Sequence, residues 1–465
     1  MKHSHLLRAG ADSQDAFDRV AGPLQGDAED SVNLVQLTSQ LDGKALLAAL
    51  ADDFRGAIKR FDPLNTTFRS DWSTDTIEKV RLRRALDLNA GVSLQSGQPE
   101  MRINLGLYLA LQDALLDAFC VRGFFVSSTA QTDRPNAYGV LSVGAPSDTR
   151  YHDYSEINDL DGDPLARALT RAMPLQPIRL AQADMLLFFA LRWVWFHEQA
   201  HWILGHLDYL SAKNRLAKTG LKEAELFSNH SEGAETYGEA YCFELQADAL
   251  ATQCLVAETL GLPPADISTP IYEYQLAIET SGTSGTFAPP PNTRSTRFRI
   301  CLMAAGLCAL LFELRRERSG LTSKTHPPPS ARIINIALTA LSTYGDIAQF
   351  EANDGTLHDQ AYRTDILRPA ANDLMTSLFD LEIIARMVQL KHPLYRSSML
   401  FPEEKSYAPG DVSPLAQDIF DLMLKGSKKA KSLRTEGGVA FAQYHDQSRQ
   451  LYQALEPYAR VSGFR

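Results

Sequence analysis

The feature that most constrains this sequence is a long apolar stretch that carries several groups which are costly to bury. The run "MLLFFALRWVWF" at 185–196 continues directly into "HEQAHWILGHL" at 197–207. A membrane span needs about 20 apolar residues, and this run is shorter and contains Arg192. The pattern therefore predicts a helix buried in a protein core, beginning at Pro177 and reaching about Ala212.

The composition is that of a soluble globular protein with two or three domains. The 465 residues are 45% hydrophobic and 22% charged, and the net charge of −10 argues against non-specific nucleic-acid binding. Two small basic clusters, "RLRR" at 81–84 and "KGSKKAKSLR" at 425–434, are interpreted as solvated helix faces or loops. The five cysteines form no C-x-x-C pair, and the first residues contain no apolar signal core, so we expect reduced thiols and a cytoplasmic location.

We expect a mainly α protein whose first part also contains strands. Residues 1–175 are predicted to form an α+β region of unknown role. Helical apolar spacing occurs at 44–61 and 103–121, whereas 123–130 and 137–145 are β-like and flanked by glycine and serine.

The rest of the chain is predicted to be helical in two further parts. Residues 176–345 would form the core, with a second helix at 233–260 and a buried helix at 296–316 whose apolar run is too short to span a bilayer. Residues 346–465 would form a helical C-terminal region, with breaks at "KHPLY", "YAPGDVSP" and "GG".

The segment "HEQAH" has the spacing of a zinc-hydrolase signature. His197 and His201 are four residues apart, so on a helix they share one face and can point at one metal ion. Zinc held in this way lowers the pKa of its water toward about 7, and Glu198 is placed to take the proton.

A third ligand is expected from the helix that carries "YGEAYCFELQADALATQ". Glu244 is the preferred candidate because Asp248 follows one turn later, where it could hold a ligand histidine in the correct tautomer. Other acidic residues of this region are interpreted as a solvated face: Glu232, Glu235 and Glu239.

His206 is not expected to be a ligand. It follows His201 by five residues, about 140° further around a continuous helix, and the spacing does not match the metzincin pattern. We expect a polar residue at the helix end or a hydrogen-bonded structural histidine.

The segment "THPPPSAR" is the third element of interest. His326 precedes prolines that fix its backbone, and Arg332 is expected near the start of the next helix. Both side chains are suitable donors to an oxyanion in peptide hydrolysis. Two alternatives stay open: the segment could be a stiff surface turn, and Arg332 could pair with an acidic residue and brace the connector.

Together "HEQAH", "ELQAD" and "THPPPSAR" resemble the motifs of the gluzincin metallopeptidases, in the same order. The closest likeness is to the family that contains the CAAX prenyl proteases and the bacterial heat-shock membrane zinc endopeptidases. The resemblance covers about 185–335 and implies a zincin-like helical catalytic core. It implies that His197, His201 and Glu244 bind zinc and that Glu198 is the general base. It also implies that Asp248 supports His197 and that His326 and Arg332 line the catalytic cleft.

"HEQAHWILGH" is also similar to a motif of the soluble phage-immunity and stress-response metallopeptidases, and the soluble phage-exclusion peptidases are a further comparison. The expected function is therefore a soluble zinc metalloprotease acting on a protein or peptide, in regulation or defence, without a membrane partner. Two alternatives remain: a zinc-binding regulatory or interaction protein without hydrolytic activity, and a helical interaction protein with a chance motif. The sequence leaves the oligomeric state open.

Overall fold

A computed structural model provides the structure of the chain. It describes residues 80–83, 89–95, 98–119, 124–125, 141–142, 151–152, 177–212, 234–261, 294–318, 327–351, 368–391, 414–425 and 433–460. Several sequence predictions lie wholly or mostly outside these residues. They are the helix at 44–61, the β-like segment 137–145, the basic cluster at 425–434, the breaks at "KHPLY" and "YAPGDVSP", and the positions of Glu232 and His326.

The described part of the chain is mainly α, as the sequence predicts. The predicted helices at 103–121, 233–260 and 296–316 are confirmed with shifted ends. The helices are α1 Leu105–Phe119, α2 Pro177–Ile203, α3 His206–Ala212, α4 Ala234–Gly261, α5 Arg294–Arg318, α6 Pro329–Glu351, α7 Arg368–Lys391, α8 Pro414–Lys425 and α9 Glu436–Leu455.

A small sheet precedes α1. Its strands are β1 Val80–Arg83, β2 Ala90–Gln95 and β3 Gln98–Asn104, in the order β1-β3-β2. β2 and β3 are antiparallel, and β1 runs parallel to β3. Alternate residues of β3 enter the hydrophobic core, since Met101 and Ile103 are buried. A further pair, β4 Leu141–Ser142 and β5 Tyr151–His152, is antiparallel.

Two details of the N-terminal region differ from the sequence predictions. The basic segment 81–84 does not begin as a helix face or loop, because Arg81 to Arg83 belong to β1. The predicted β-like segment 123–130 contains a turn at Phe124 and Phe125, both buried, and Phe125 has a φ of 53°. Both rings pack edge-on against Phe119.

One hydrophobic cluster extends from Val92 to Phe441 and so includes side chains from all three predicted regions. α2 packs against α4, and α4 packs against α6 and α9. α5 contacts α2, α6 and α7. The buried Arg299–Asp380 ion pair, 2.8 Å between Nη2 and Oδ2, joins α5 to α7.

The predicted single helix from Pro177 to about Ala212 is broken into α2 and α3. The break is at Gly205, whose φ of +77° lies in the left-handed region where a Cβ is disfavoured. A Cβ at this position would also lie 2.5 Å from backbone atoms of Tyr458. The glycine therefore ends α2 and lets the C-terminal segment approach closely.

The glycine pair 437–438 does not break a helix, in contrast to the sequence prediction. It lies in the first turn of α9, whose N-cap is Thr435. The Thr435 hydroxyl accepts a hydrogen bond from the Gly438 amide at 2.9 Å, and Gly437 lies directly against Ser330 of α6. The small residues allow α6 and α9 to pack closely at their N-terminal ends.

Within the described ranges, Arg294–Phe312 is the one helical stretch long and apolar enough to cross a membrane. Its mean hydropathy is 1.5, and 89% of the stretch is buried inside the protein. A core helix meets the same criteria, which agrees with the prediction of a buried helix at 296–316.

Candidate metal centre

Facing positions of α2 and α4 bring three potential ligands together. His197 Nε2 lies 3.2 Å from His201 Nε2. The Glu244 carboxylate lies 3.5 Å from His197 Nε2 through Oε2 and 3.7 Å from His201 Nε2 through Oε1. Two histidines one turn apart on α2 and a carboxylate on α4 thus converge, as their sequence spacing predicts.

These distances fit a metal ion. Bonds of about 2.0–2.2 Å to a tetrahedral ion place neighbouring ligand atoms roughly 3.3–3.6 Å apart. The three observed separations lie close to this range, and all ligand atoms are within 4.8 Å of one another. Among the residues that the structure describes, this group can hold a metal ion.

The centre is almost completely removed from solvent. The exposed fractions are 3% for His197, 1% for His201, 4% for Glu244 and 4% for Glu198. Burial of carboxylates at this level is unfavourable unless a cation or hydrogen bonds compensate it. Glu198 follows His197 on α2 and is buried as well.

Asp248 lies behind His197, one turn after Glu244 on α4. Its Oδ1 is 3.0 Å from His197 Nδ1, an ion-pair contact in which the ring N–H is not fully aligned on the oxygen. Arg332 of α6 donates to both oxygens of Asp248, from Nε at 2.8 Å and from Nη2 at 2.6 Å. A charged pair from two different helices therefore supports the first ligand histidine.

Charges within the centre favour a cation. Glu244 and Asp248 contribute two carboxylates and Arg332 one guanidinium to the group in contact, so in their ionised forms these three buried groups sum to −1 with neutral histidines. Burial acts to lower the pKa of His197, but contacts with Asp248 and Glu244 outweigh it and raise the pKa to about 10. Without a metal, a proton on His197 therefore supplies the missing positive charge.

His201 has a different, uncharged support. Its Nδ1 lies 2.9 Å from Nδ1 of His206, and His206 Nε2 lies 2.9 Å from Gln246 Oε1. Gln246 Nε2 donates in turn to the backbone carbonyl of Ser448 in α9 at 2.8 Å. Burial lowers the pKa of His206 to about 3, against the opposing effect of the Gln246 hydrogen bond, so the ring is neutral.

His206 is a hydrogen-bonded histidine outside the ligand group, as the sequence predicts, but the geometric reason differs. The break at Gly205 removes the continuous helix from which its angular position was calculated. His206 nevertheless points at His201 rather than at the three ligand atoms, and it is a buried, hydrogen-bonded histidine.

Aromatic rings hold both histidine supports in place. Trp193 stacks on His197, with ring centroids 5.3 Å apart, and donates from Nε1 to Thr252 of α4 at 3.1 Å. Phe243 stacks on His206 at 4.4 Å. These contacts restrict ring rotation, which sets the direction in which each imidazole presents its nitrogen atoms.

Three other predicted residues are placed as follows. Arg332 lies within the first residues of α6, is 2% exposed, and contacts Asp248 and also Glu244 at 3.7 Å. His326 lies outside the described residues. Glu239 accepts a hydrogen bond from the Tyr209 hydroxyl at 3.2 Å, apart from the ligand group.

Sequence reasoning did not identify Gln246 or the carbonyl of Ser448. Gln246 lies between Glu244 and Asp248, and only the three-dimensional position of α3 gives it a role. No local pattern marks Ser448, because its contribution is a backbone atom about 200 residues away along the chain.

Comparison with known proteins assigns no family to the chain. No protein-family model matches it, and neither a curated protein nor a solved structure matches it. The resemblance to gluzincins rests on the three motifs alone. α2 and α4 bring "HEQAH" and "ELQAD" together, and the third motif is described from Pro327 onward.

Proposed function

We propose that this protein is a zinc-dependent metallopeptidase that hydrolyses peptide bonds of a protein or peptide substrate. The observation that carries the proposal is the convergence of His197, His201 and Glu244 at separations of 3.2, 3.5 and 3.7 Å, with the buried Glu198 following His197 on α2. Two imidazole nitrogens and one carboxylate are a donor set that zinc hydrolases use.

Zinc is the metal that suits this donor set best. Calcium and magnesium prefer sites made of oxygen atoms, whereas two neutral imidazoles favour zinc or a related transition metal. Zinc bound here would supply Lewis acidity toward a substrate carbonyl and lower the pKa of a coordinated water.

Glu198 would act as the general base. It is buried beside the first ligand histidine, and a carboxylate is an ordinary proton acceptor for a water nucleophile. A metal site with a purely structural role has no need for a buried carboxylate that neither binds the metal nor supports a ligand, so Glu198 favours catalysis over storage or stabilisation.

Arg332 is assigned to the support of the centre. Its guanidinium is engaged by Asp248 through two hydrogen bonds, which favours the bracing alternative over direct contact with substrate. His326 stays a proposed oxyanion donor on the basis of "THPPPSAR". We expect His326→Ala to lower kcat by about 10²–10³ with unchanged zinc content.

A second candidate function is a zinc-binding regulatory or interaction protein without hydrolytic activity. The observation that favours it is the burial of all three ligands, between 1% and 4% exposed, because structural metal sites are closed whereas catalytic sites keep a position open. The two candidates share the metal site and differ in the role of Glu198.

The discriminating experiment compares the wild-type chain with Glu198→Gln in zinc content and in cleavage of a whole-proteome extract, read out as new peptide termini. The metallopeptidase proposal expects equal zinc content and loss of all cleavage in the variant. The matched control is Glu239→Gln, which makes the same change at an acidic residue outside the ligand group and should retain cleavage. A wild-type chain that binds zinc but produces no new peptide termini in the extract would favour the regulatory candidate.

A further inference from the structure

We propose that His206 is a positioning residue that fixes the tautomer of His201, through a hydrogen-bond chain that begins at the backbone carbonyl of Ser448 in α9. The inference deepens the proposed metal centre and rests on it for its effect on zinc. Its geometric part concerns only where protons sit in the chain Ser448–Gln246–His206–His201.

The direction of the chain is set at its first link. A backbone carbonyl can only accept, so the Gln246 group that faces Ser448 at 2.8 Å must be the amide NH₂. The other end of the side chain, Oε1, is then the atom that faces His206 at 2.9 Å.

The second link places a proton on His206. Since Gln246 Oε1 can only accept, His206 Nε2 must carry the hydrogen. His206 is fully buried, stacked on Phe243 and bonded to the uncharged amide of Gln246, surroundings that favour the uncharged ring. An uncharged imidazole has one N–H, which leaves His206 Nδ1 as an acceptor.

The third link places a proton on His201. Its Nδ1 lies 2.9 Å from His206 Nδ1, and one of the two atoms must donate. Because His206 Nδ1 is the acceptor, His201 carries its hydrogen on Nδ1. The lone pair of His201 therefore lies on Nε2, the atom that faces His197 and Glu244 at 3.2 and 3.7 Å.

The opposite tautomer would block the centre. A hydrogen on His201 Nε2 would point at the ligand position, and the ring would have to exchange its proton before it could bind a metal. The chain thus prepares His201 for coordination in advance of binding.

The C-terminal segment fixes the location of His206. The backbone amide of Arg460 donates to the Ile203 carbonyl at 2.8 Å, and its Nη1 donates to the Trp202 carbonyl at 2.7 Å. Its Nη2 also donates to Asp208 of α3 at 2.6 Å. Arg460 therefore joins the last turn of α2 to α3 on both sides of Gly205, so that the segment after α9 holds the helix that begins with His206.

The first part of the test measures zinc affinity by chelator competition on the full chain. His206→Leu removes the acceptor and should weaken zinc binding by about 10- to 100-fold. His206→Asn keeps an acceptor oxygen on Cγ, the atom that carries Nδ1 in histidine, and should recover most of that loss. Gln246→Leu frees His206 from Ser448 and should weaken binding by a smaller factor.

A matched control is Gln253→Leu, the same substitution two turns further along α4, at a side chain whose Oε1 has no hydrogen-bond partner. It should leave zinc affinity unchanged. Thermal unfolding of each metal-free variant identifies any variant that does not fold. If His206→Leu does not fold, the zinc affinities of His206→Asn and Gln246→Leu still test the inference.

The second part uses ¹⁵N-histidine NMR on the metal-free protein, which is independent of zinc and of catalysis. The inference expects the hydrogen of His201 on Nδ1 and that of His206 on Nε2. A hydrogen on His201 Nε2, or equal zinc affinities for His206→Leu and the wild type, would overturn it. A wild-type chain that binds no zinc yet shows the expected tautomers would contradict the proposed function and leave the chain of hydrogen bonds intact.

Discussion

The two ligand histidines of α2 are chemically alike, but the protein supports them in opposite ways. His197 is backed by Asp248 and Arg332, a buried ion pair, whereas His201 is backed by two neutral side chains and a backbone carbonyl. The first support places the Asp248 carboxylate beside His197 and balances its negative charge with the Arg332 guanidinium. The second adds no net charge. We call Asp248 and Arg332 the charged arm, and His206, Gln246 and the Ser448 carbonyl the neutral arm. The comparison shows that two histidines of one candidate metal centre can be oriented by a charged pair on one side and by uncharged hydrogen-bonding groups on the other.

The largest effect is expected from removal of a ligand, because both arms act on the metal only through the ligand atoms. His197→Ala, His201→Ala and Glu244→Ala should each lose most of the bound zinc, because two protein ligands do not retain it against buffer and chelators. Elemental analysis of the purified variants measures this loss. His445→Ala, a histidine of α9 outside the ligand group, is the control. Full zinc occupancy in Glu244→Ala would transfer the third ligand to another residue.

The charged arm should dominate stability. Arg332→Met leaves Asp248, which is fully buried, without its two charged hydrogen bonds, and should lower the free energy of unfolding of the metal-free protein by about 3–5 kcal/mol. Urea unfolding of the metal-free protein gives this value. Arg434→Met is the matched control, since Arg434 pairs with Asp421 at a 43% exposed position and should cost at most about 1 kcal/mol. Equal losses for both variants would mean that burial of the Arg332 pair is incomplete in solution.

Asp248→Asn tests what the charged arm contributes to the metal. Asparagine keeps the shape and one acceptor but removes the negative charge beside His197, so zinc affinity should fall by about 10- to 100-fold without unfolding. The same competition assay applies to this variant and to His206→Leu, which allows the two arms to be ranked. Wild-type zinc affinity in Asp248→Asn would show that the negative charge of Asp248 does not contribute to zinc binding.

The smallest effect is expected at the hinge of the neutral arm. Gly205→Ala places a Cβ at a φ of +77° and against the backbone of Tyr458, and should lower the free energy of unfolding by about 1–3 kcal/mol. A displaced α3 should also weaken zinc binding, since His206 begins that helix. Gly91→Ala is the control because a Cβ there meets no atom within 4 Å. An unchanged unfolding midpoint for Gly205→Ala would contradict the close approach of the C-terminal segment.

The two arms also differ in how far the sequence predicts them. The charged arm follows from local spacing: His197 and His201 are one turn apart, and Asp248 is one turn after Glu244, so helical periodicity alone places them on shared faces. The pairing of Arg332 with an acidic residue was an open alternative, and choosing its partner requires the packing of α6 on α4.

The neutral arm could not be predicted because it depends on a helix break and on tertiary contacts. Apolar periodicity continues through Gly205, so the pattern favours one helix where the chain forms two. Local propensity failed in the same way at "RLRR", where pairing of β1 with β3 decides the structure, and at 437–438, where close packing of α9 on α6 accommodates the glycines.

X-ray absorption spectroscopy at the zinc edge of the full wild-type chain, combined with its metal stoichiometry, tests the central claim most directly. The predicted result is about one zinc per chain, coordinated by two imidazole nitrogens and at least one carboxylate oxygen at about 2.0–2.2 Å. A chain that binds no zinc after exposure to it, or a spectrum dominated by sulfur at about 2.3 Å, would contradict a centre built from His197, His201 and Glu244.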